Sequence, residues 1–477
     1  MTLYSHVLDT SRVHDVSRGT ILMTNSTNTD TQALKKKISD AGVKYLLPSY
    51  VDMHGASKSK MVPIDHFDRM MSGSELCTGA ALDGVPQIIS DEEVAAHPDP
   101  DSCHILPWQR DVAWFASDLW CEGKPFEPCS RNILKRVLAD AASMGYGINL
   151  GFEAEFFVFR DDENGECLPV STRDNLSKPA YDVPRLLENL PWLGELVDAM
   201  NELGWDVYSL DHEDGVGQFE IDFAYDDSLV TSDRFVFFRR LADEIARKHG
   251  AFATFMPKPF GDFAGSGAHY NMSIRDLESG KNLFEAKDGA DPRNCDLGDI
   301  GYNFIAGILR HLPAISAVIA PTVNSYKRLI MKGSNSGFTW APVFQCYGDN
   351  NRTNTIRIPM GGGRVELRAV DPMCNPYLAA AFVIAAGLEG IRDNLDPGEP
   401  NRDNMYEKTP EELTDLGIGM LPRTLGEALD AFEADSLGKQ VFGDKMHNAW
   451  LTYKKDEWLS YLNHVSDWEK EKYLRFF

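Results

Sequence analysis

Glu153 and Glu155 interrupt an apolar run, "GFEAEFFVF" at residues 151–159. Alternation puts Phe152, Ala154, Phe156 and Val158 on one face of a β-strand and the two carboxylates on the other. Neighbouring carboxylates repel. Either that face is open to water, or a cation sits between them and turns repulsion into attraction. Three more stretches repeat the pattern. In "GQFEIDFAY", Gln218 and Glu220 oppose Phe219 and Ile221; in "GSGAHYNMSI", His269, Asn271 and Ser273 oppose Ala268, Tyr270 and Met272. In "GRVELRAV", Arg364, Glu366 and Arg368 oppose Val365 and Leu367. A curved sheet of such strands encloses a polar cavity lined by Glu, His and Arg.

Glu153, Glu155, Glu220, Glu366, His269 and Glu213 of "DHEDG" make five carboxylates and one imidazole. That set is too oxygen-rich for structural zinc, which prefers sulfur and nitrogen, and suits more than one hard Mg²⁺ or Mn²⁺ ion. Arg328, Arg352, Arg357, Arg364 and Arg368 are interleaved with it. Guanidinium meets carboxylates and phosphates bidentately. Cations, arginines and a cavity point to phosphoryl transfer at or near a carboxylate substrate. Taken singly these features carry little. "GSG" at 265–267 reads as an ordinary turn, "GGG" at 361–363 as a hairpin loop, and His269 alone as a satisfied core histidine. The weight lies in one pattern recurring on four strands.

The elements that must position these groups follow from composition and periodicity. The chain has 477 residues, 43% hydrophobic, enough for a large core. A net charge of −25 argues against nucleic-acid and anionic-membrane partners. Eight scattered cysteines lack C-x-x-C spacing and read as reduced cytoplasmic thiols. The N-terminus has no secretory pattern, and the longest apolar run, "LAAAFVIAAGL" at 378–388, reads as a buried helix. Residues 1–32 form a polar extension. Residues 33–122 form a small α+β domain, with a helix at "TQALKKKISDAG" and short strands after it. "EGKPFEPCSR" reads as a linker, and 123–477 as the larger domain, opening on a helix that stops at Gly145. Residues 396–415 read as a polar loop and the remainder as amphipathic helices, with no internal repeat.

The ordered series "GFEAEFFVF", "HEDGVGQFE", "FATFMPKPFGDFAGSGAHYNMS", "PTVNSYKRL", "NNRTNTIRIP" and "RVELRAVDPMCNPYLAAA" resembles the glutamine synthetase family from about residue 40 to 395. It is most similar to the branch of γ-glutamylmethylamide synthetases and type III glutamate–amine ligases. The resemblance implies an α+β fold: an N-terminal β-grasp domain, then a catalytic domain whose curved antiparallel sheet lines a funnel. It implies two or three Mg²⁺ or Mn²⁺ ions per site. Glu155, Glu213 and Glu220 would hold the ion nearer glutamate, and Glu153, His269 and Glu366 the ion that bridges the ATP phosphates. It implies L-glutamate on Arg328, Arg368 and Gly265, and the moving phosphoryl group on Arg352 and Arg357. ATP would contact Tyr225, Asn271 and Ser273. Asp52 of "YVDMHG" would take a proton from the amine in a neighbouring subunit's site. The active form would be a homo-oligomer, a dodecamer of two hexameric rings. Tyr181, Phe338 and Trp340, with Asp52, are candidates for the amine pocket.

The departures from that family bear on the amine. The segment after "NSYKRL" is long, "IMKGSNSGFTWAP", and has no acid where ammonia-using relatives carry a flap glutamate. Phe338 and Trp340 in that segment suit an alkyl or aryl group on nitrogen. Asn271 and Ala264 stand where His and Asn are common, and "GSELCTGAALDGVPQ" at 73–87 is not the glycine- and aromatic-rich stretch of the methylamide branch. The leading expectation is ligation of glutamate to a primary amine of the methylamine, isopropylamine or aniline type. Glutamine synthesis from ammonia is the second reading and an inactive structural relative the third. Tyr406, near a position modified in some relatives, reads as an exposed loop residue.

Overall fold

The computed structural model describes residues 30–286, 291–335, 337 and 339–476. The helix Thr31–Asp40 opens the described chain, capped by the Asp30 carboxylate, which accepts from the Gln32 and Ala33 amides. The polar extension therefore ends before residue 31, and residues 1–29 lie outside the described residues.

The first sheet has eight strands. Its centre pairs Tyr45–Val51 with Gln109–Cys121 in parallel, and the other pairings are antiparallel. Leu34 and Ile38 of the helix pack on Leu46, Phe67 and Phe115 as a small core of their own. The expected linker is part of this sheet. Glu122 and Gly123 both take positive φ, 51° and 73°, and turn the chain so that Lys124–Pro125 pairs back on Trp120 and Cys121. Two consecutive left-handed residues make a tight hairpin that matches strand twist.

The second sheet has ten strands, and Tyr146–Asp161 is its spine. The order across it is Val207–His212, Gln218–Phe223, Tyr146–Asp161, Ala268–Asp276, Val365–Leu367, Ile356–Ile358 and Tyr347–Asp349. Only the last pair is parallel. Phe152, Phe156, Phe219, Ile221, Tyr270 and Leu367 are buried in the main core. Phe152 stacks on Phe235 of helix Ser228–Lys248 with ring centroids 4.1 Å apart, and Phe156 meets Phe238 edge-on at 5.6 Å. Burying each such ring contributes about 2 kcal/mol. Behind them lie helices Asp299–Ile319 and Pro376–Arg392, which touch closely. A Cβ on Gly307 would stand 2.0 Å from the Ala386 carbonyl oxygen. Among the described residues Asp299–Ile319 alone is long and apolar enough to cross a membrane, and 78% of that stretch is buried inside the protein.

The stretch 396–415 is not wholly loop. Thr409 and Glu412 form a capping box for helix Pro410–Asp415, a signal present in "TPEE". The long C-terminal helix Ser436–Asn463 breaks its helical conformation at Gly443, φ 74°.

Candidate active site

Strand register assembles the site. Asp211 lies opposite Glu220, and Glu220 opposite Glu155. One step along, Asp222 lies opposite Glu153, and Glu153 opposite His269. On the far side Asn271 lies opposite Glu366, and Glu366 opposite Arg357. Directly opposed side chains in a sheet are roughly 5 Å apart, so these rows force the acids together.

His269 sits among three acids: Nδ1 is 3.0 Å from Glu153 and 3.6 Å from Glu366, and Nε2 is 3.5 Å from Glu155. Glu366, fully buried, is gripped by Arg357 and Arg368. Glu155 accepts from the Gly267 amide at 2.8 Å and from Gln218 at 3.2 Å, and Gln218 also donates to the Gly265 carbonyl at 3.2 Å. Buried His212 ties the next segment down. Its ring nitrogens lie 2.8 Å from the Glu213 carbonyl and 2.8 Å from Asp174.

The electrostatics split the acids into two groups. Glu153 is held down at about 2: burial opposes its charge, but the bond from His269 and the nearby Arg368 and Arg352 outweigh that. Glu366 is lowered likewise, Arg368 overcoming burial. The others go up. Burial and then the charge of Glu155 push Glu213 to about 8. Burial and then Glu153 raise Glu220 well above the carboxylate range and Asp222 to about 7. Burial with Glu155 and Glu153 takes Asp211 to about 6. Like charges gathered out of water are what raise them.

Among the described residues three groups of donor atoms lie within 4.8 Å of one another: Glu153, His269 and Glu366; Glu155, Glu220 and His269; Asp211, Glu213 and Glu220. All six ligands expected from the sequence fall in these groups, and Asp211 is a seventh. Asp211 stands two residues before Glu213, a strand period, so the signal was present in "DHED". The oxygen-rich set and its uncompensated repulsion fit hard divalent cations, which would supply the missing positive charge.

A cavity of about 290 Å³ opens over these groups, with Gly265, Arg328, Arg352 and Arg368 in its wall. Arg328 donates to the Arg368 carbonyl at 2.8 Å and to that of Ala369 at 3.3 Å. Tyr181 and Trp340 form part of the wall, and both hold left-handed backbone, φ 63° and 54°. Such strain persists in bulky residues only where the surroundings impose it. The Tyr181 amide is bound to the His212 carbonyl at 2.9 Å. Trp340 precedes a small separate core of Ala341, Val343, Phe344 and Met405. Tyr406 is not an exposed loop residue. It is half-buried, packs on Phe344, and its hydroxyl donates to the Ala341 carbonyl at 2.7 Å.

The remaining candidates separate. Tyr225, Asn271 and Ser273 line a second cavity of about 240 Å³ with Arg364 and the Gly361–Gly363 hairpin. Asn271 joins the two cavities, donating to Glu153 at 3.4 Å and accepting from Arg364 at 3.3 Å. Arg357 reaches Glu366 and Asn350 instead of the larger cavity. Asp52 lines neither cavity of its own chain; its side chain is 2% exposed, accepts from the His54 and Ala56 amides, and lies 3.5 Å from Lys58. Phe338 lies outside the described residues.

The glutamine synthetase catalytic domain matches residues 127–473. A glutamate–methylamine ligase from Methyloversatilis universalis is 42% identical over 438 residues, 91% of this chain and 97% of that protein. A glutamine synthetase from Rhizobium leguminosarum bv. phaseoli is 39% identical over 437 residues, with the same coverage. A GmaS structure in complex with ADP superposes with a TM-score of 0.85 at 37% identity, over 92% of this chain and 99% of the other. A GmaS structure without ligand gives 0.84 at 36% identity, over 93% and 99%.

Proposed function

Because this chain belongs to the glutamine synthetase family, we propose that it is an ATP-dependent ligase joining the γ-carboxylate of L-glutamate to a small primary amine, methylamine before ammonia. The observation that carries the choice of amine is the cavity wall at Thr339, Trp340 and Ala341, which holds an indole and no acid. An alkylated nitrogen gains from apolar contact there, whereas ammonium wants a counter-charge. The likeness to a glutamate–methylamine ligase supports the same choice.

A carboxylate has too poor a leaving group to react with an amine. The γ-carboxylate oxygen therefore attacks the terminal phosphorus of ATP, the bond to the bridging oxygen breaks, and ADP leaves. Arg328 and Arg368 orient glutamate, Arg352 offsets the charge of the phosphoryl group in flight, and Arg357 acts through Glu366, which it grips. Glu153, Glu155, Glu213, Glu220, His269 and Glu366 would hold Mg²⁺ or Mn²⁺, two or three per site, and such cations screen the triphosphate. The amine nitrogen then attacks the acyl carbon, phosphate departs, and Asp52 accepts the proton. Tyr225, Asn271 and Ser273 bind the nucleotide in the second cavity. Tyr181 and Trp340 face the amine and exclude water from the acyl phosphate.

Asp52 serves a neighbouring subunit in this reading, which its position away from its own cavity supports. The enzyme is then a ring oligomer, a dodecamer of two hexamers. The first sheet and its packed helix form a β-grasp domain, supported by the parallel central strands; it runs from Thr31 to Pro125, and the catalytic domain follows. The eight free cysteines fit a reducing compartment, the cytoplasm. Phosphate release with glutamate and ATP across methylamine, isopropylamine, aniline and ammonia tests the assignment. Methylamine should give the highest kcat/KM; ammonia in first place would make the protein a glutamine synthetase, and no turnover would leave a scaffold.

A further inference from the structure

Behind the turn that carries Asp52 is another cavity, about 200 Å³, that shares no wall residue with the active site. Three distant parts of the chain build it: Met53 and His54 of the turn, Thr322 and Asn375 of the catalytic core, and Trp450 and Lys454 of the C-terminal helix. Its hydrogen-bond donors are in surplus. Trp450 is 1% exposed and its indole N–H has no partner. His54 Nε2 is buried without a hydrogen bond, 3.8 Å from Asp83. Lys454, 4% exposed, gives one N–H to Glu457 at 2.9 Å and lies 5.4 Å over the Trp450 ring. An ammonium carries three donors, so others remain. Glu457, also in the wall, balances the Lys454 charge, and its other oxygen accepts from the Val323 amide at 3.1 Å.

The unused N–H groups of Trp450 and Lys454 call for an acceptor, and a carboxylate oxygen accepts more strongly than a neutral one. The volume is that of about seven waters in the liquid, room for a small organic acid. The geometry points to an effector site for a small carboxylate, bound between Lys454, Trp450 and His54. Its occupant would touch both supports of the Asp52 turn. The His54 amide donates to the Asp52 carboxylate at 3.0 Å, and the Asn375 side chain to the Asp52 carbonyl at 2.8 Å. Occupancy would therefore shift the amine step, an effect that rests on Asp52 serving that step.

Calorimetric titration of the full chain with acetate, propionate and succinate, against acetamide and propionamide, tests the site. One carboxylate should bind per chain with Kd below about 10 mM, and the amides about tenfold more weakly. Trp450→Phe keeps an aromatic ring and removes the N–H; Lys454→Gln removes the charge. Each should weaken binding about tenfold or more, and a cooperative melt shows which variant is folded. Amine KM should shift with the bound carboxylate while ATP KM stays put. Equal binding of amides, indifference to both substitutions, loss of binding in Arg328→Met instead, or only ordered water in the cavity would overturn the site. Carboxylate binding in a protein without ligase activity would sink the functional reading alone. Ligase activity without carboxylate binding would sink the site alone.

Discussion

Arg131 and Glu220 each sit in a crowd of charges, and the crowds differ. Three carboxylates converge on the buried Arg131 guanidinium, Asp118 at 2.8 Å, Asp99 at 2.7 Å and Asp233 at 2.9 Å. The Tyr377 hydroxyl donates to Asp233 at 2.7 Å, and Lys135 pairs with Asp118. Asp118 stays below the usual range because Arg131 and Lys135 outweigh its burial, while Asp233 is pushed up by burial despite its partners. Around Glu220 the partners are Glu155, Asp211 and Glu213, with the single imidazole of His269. The first cluster is completed by its own chain and joins the first sheet to the helices behind the second. The other is left for cations to complete. A charged cluster that the protein does not finish by itself marks a place where something else binds.

Glu220→Gln should separate the two most sharply. Removing one ligand should lower kcat/KM about 10⁴-fold, near 5.4 kcal/mol of transition-state stabilisation. The metal-free variant should nevertheless melt higher than the metal-free wild type, because glutamine stays uncharged in the buried cluster without the proton that Glu220 must take up on folding. A lower melting midpoint would mean that the cluster is a structural ion network like that around Arg131. Arg131→Met should do the reverse. Taking the cation from three acids should cost about 3–5 kcal/mol in a denaturant titration, while divalent-cation affinity in the surviving folded protein is unchanged.

A third expectation concerns pH dependence without metal. Glu213 has its folded value raised from 4.5 to about 8. Between those values the folded protein holds a proton that the unfolded chain has released, so stability must fall as pH rises through that window. Asp211 and Asp222, at about 6 and about 7, add to the fall. Glu153, at about 2, acts oppositely: its contribution is complete above 4.5 and is lost as pH drops toward 2. Thermal melts with a chelator from pH 5 to 8 should show the decline, and Mg²⁺ at a hundred times its Kd should return about 2.7 kcal/mol at pH 8. A flat profile would remove the contrast.

Much of this was legible in one dimension. Period-two alternation exposed Glu153, Glu155, Glu220, His269 and Glu366 as one polar face, since a strand has only two sides. Asp211 and Asp222 were not picked out. Their importance comes from standing opposite Glu220 and Glu153, and cross-strand register is not written in either strand alone. "TPEE" was read as loop although its capping box was local, and Tyr406 as exposed because its partner, the Ala341 carbonyl, is 65 residues away.

The sequence by itself determined which residues face the cavity and which the core, because a β-strand's side-chain period depends only on local backbone geometry. Tertiary structure decided which acids become neighbours, which of them are finished by arginine and which are left for cations, and that Asp52 lies outside the wall of its own chain's cavity. Those outcomes depend on distance and burial between segments far apart in the chain, where Coulomb interactions and desolvation act through space.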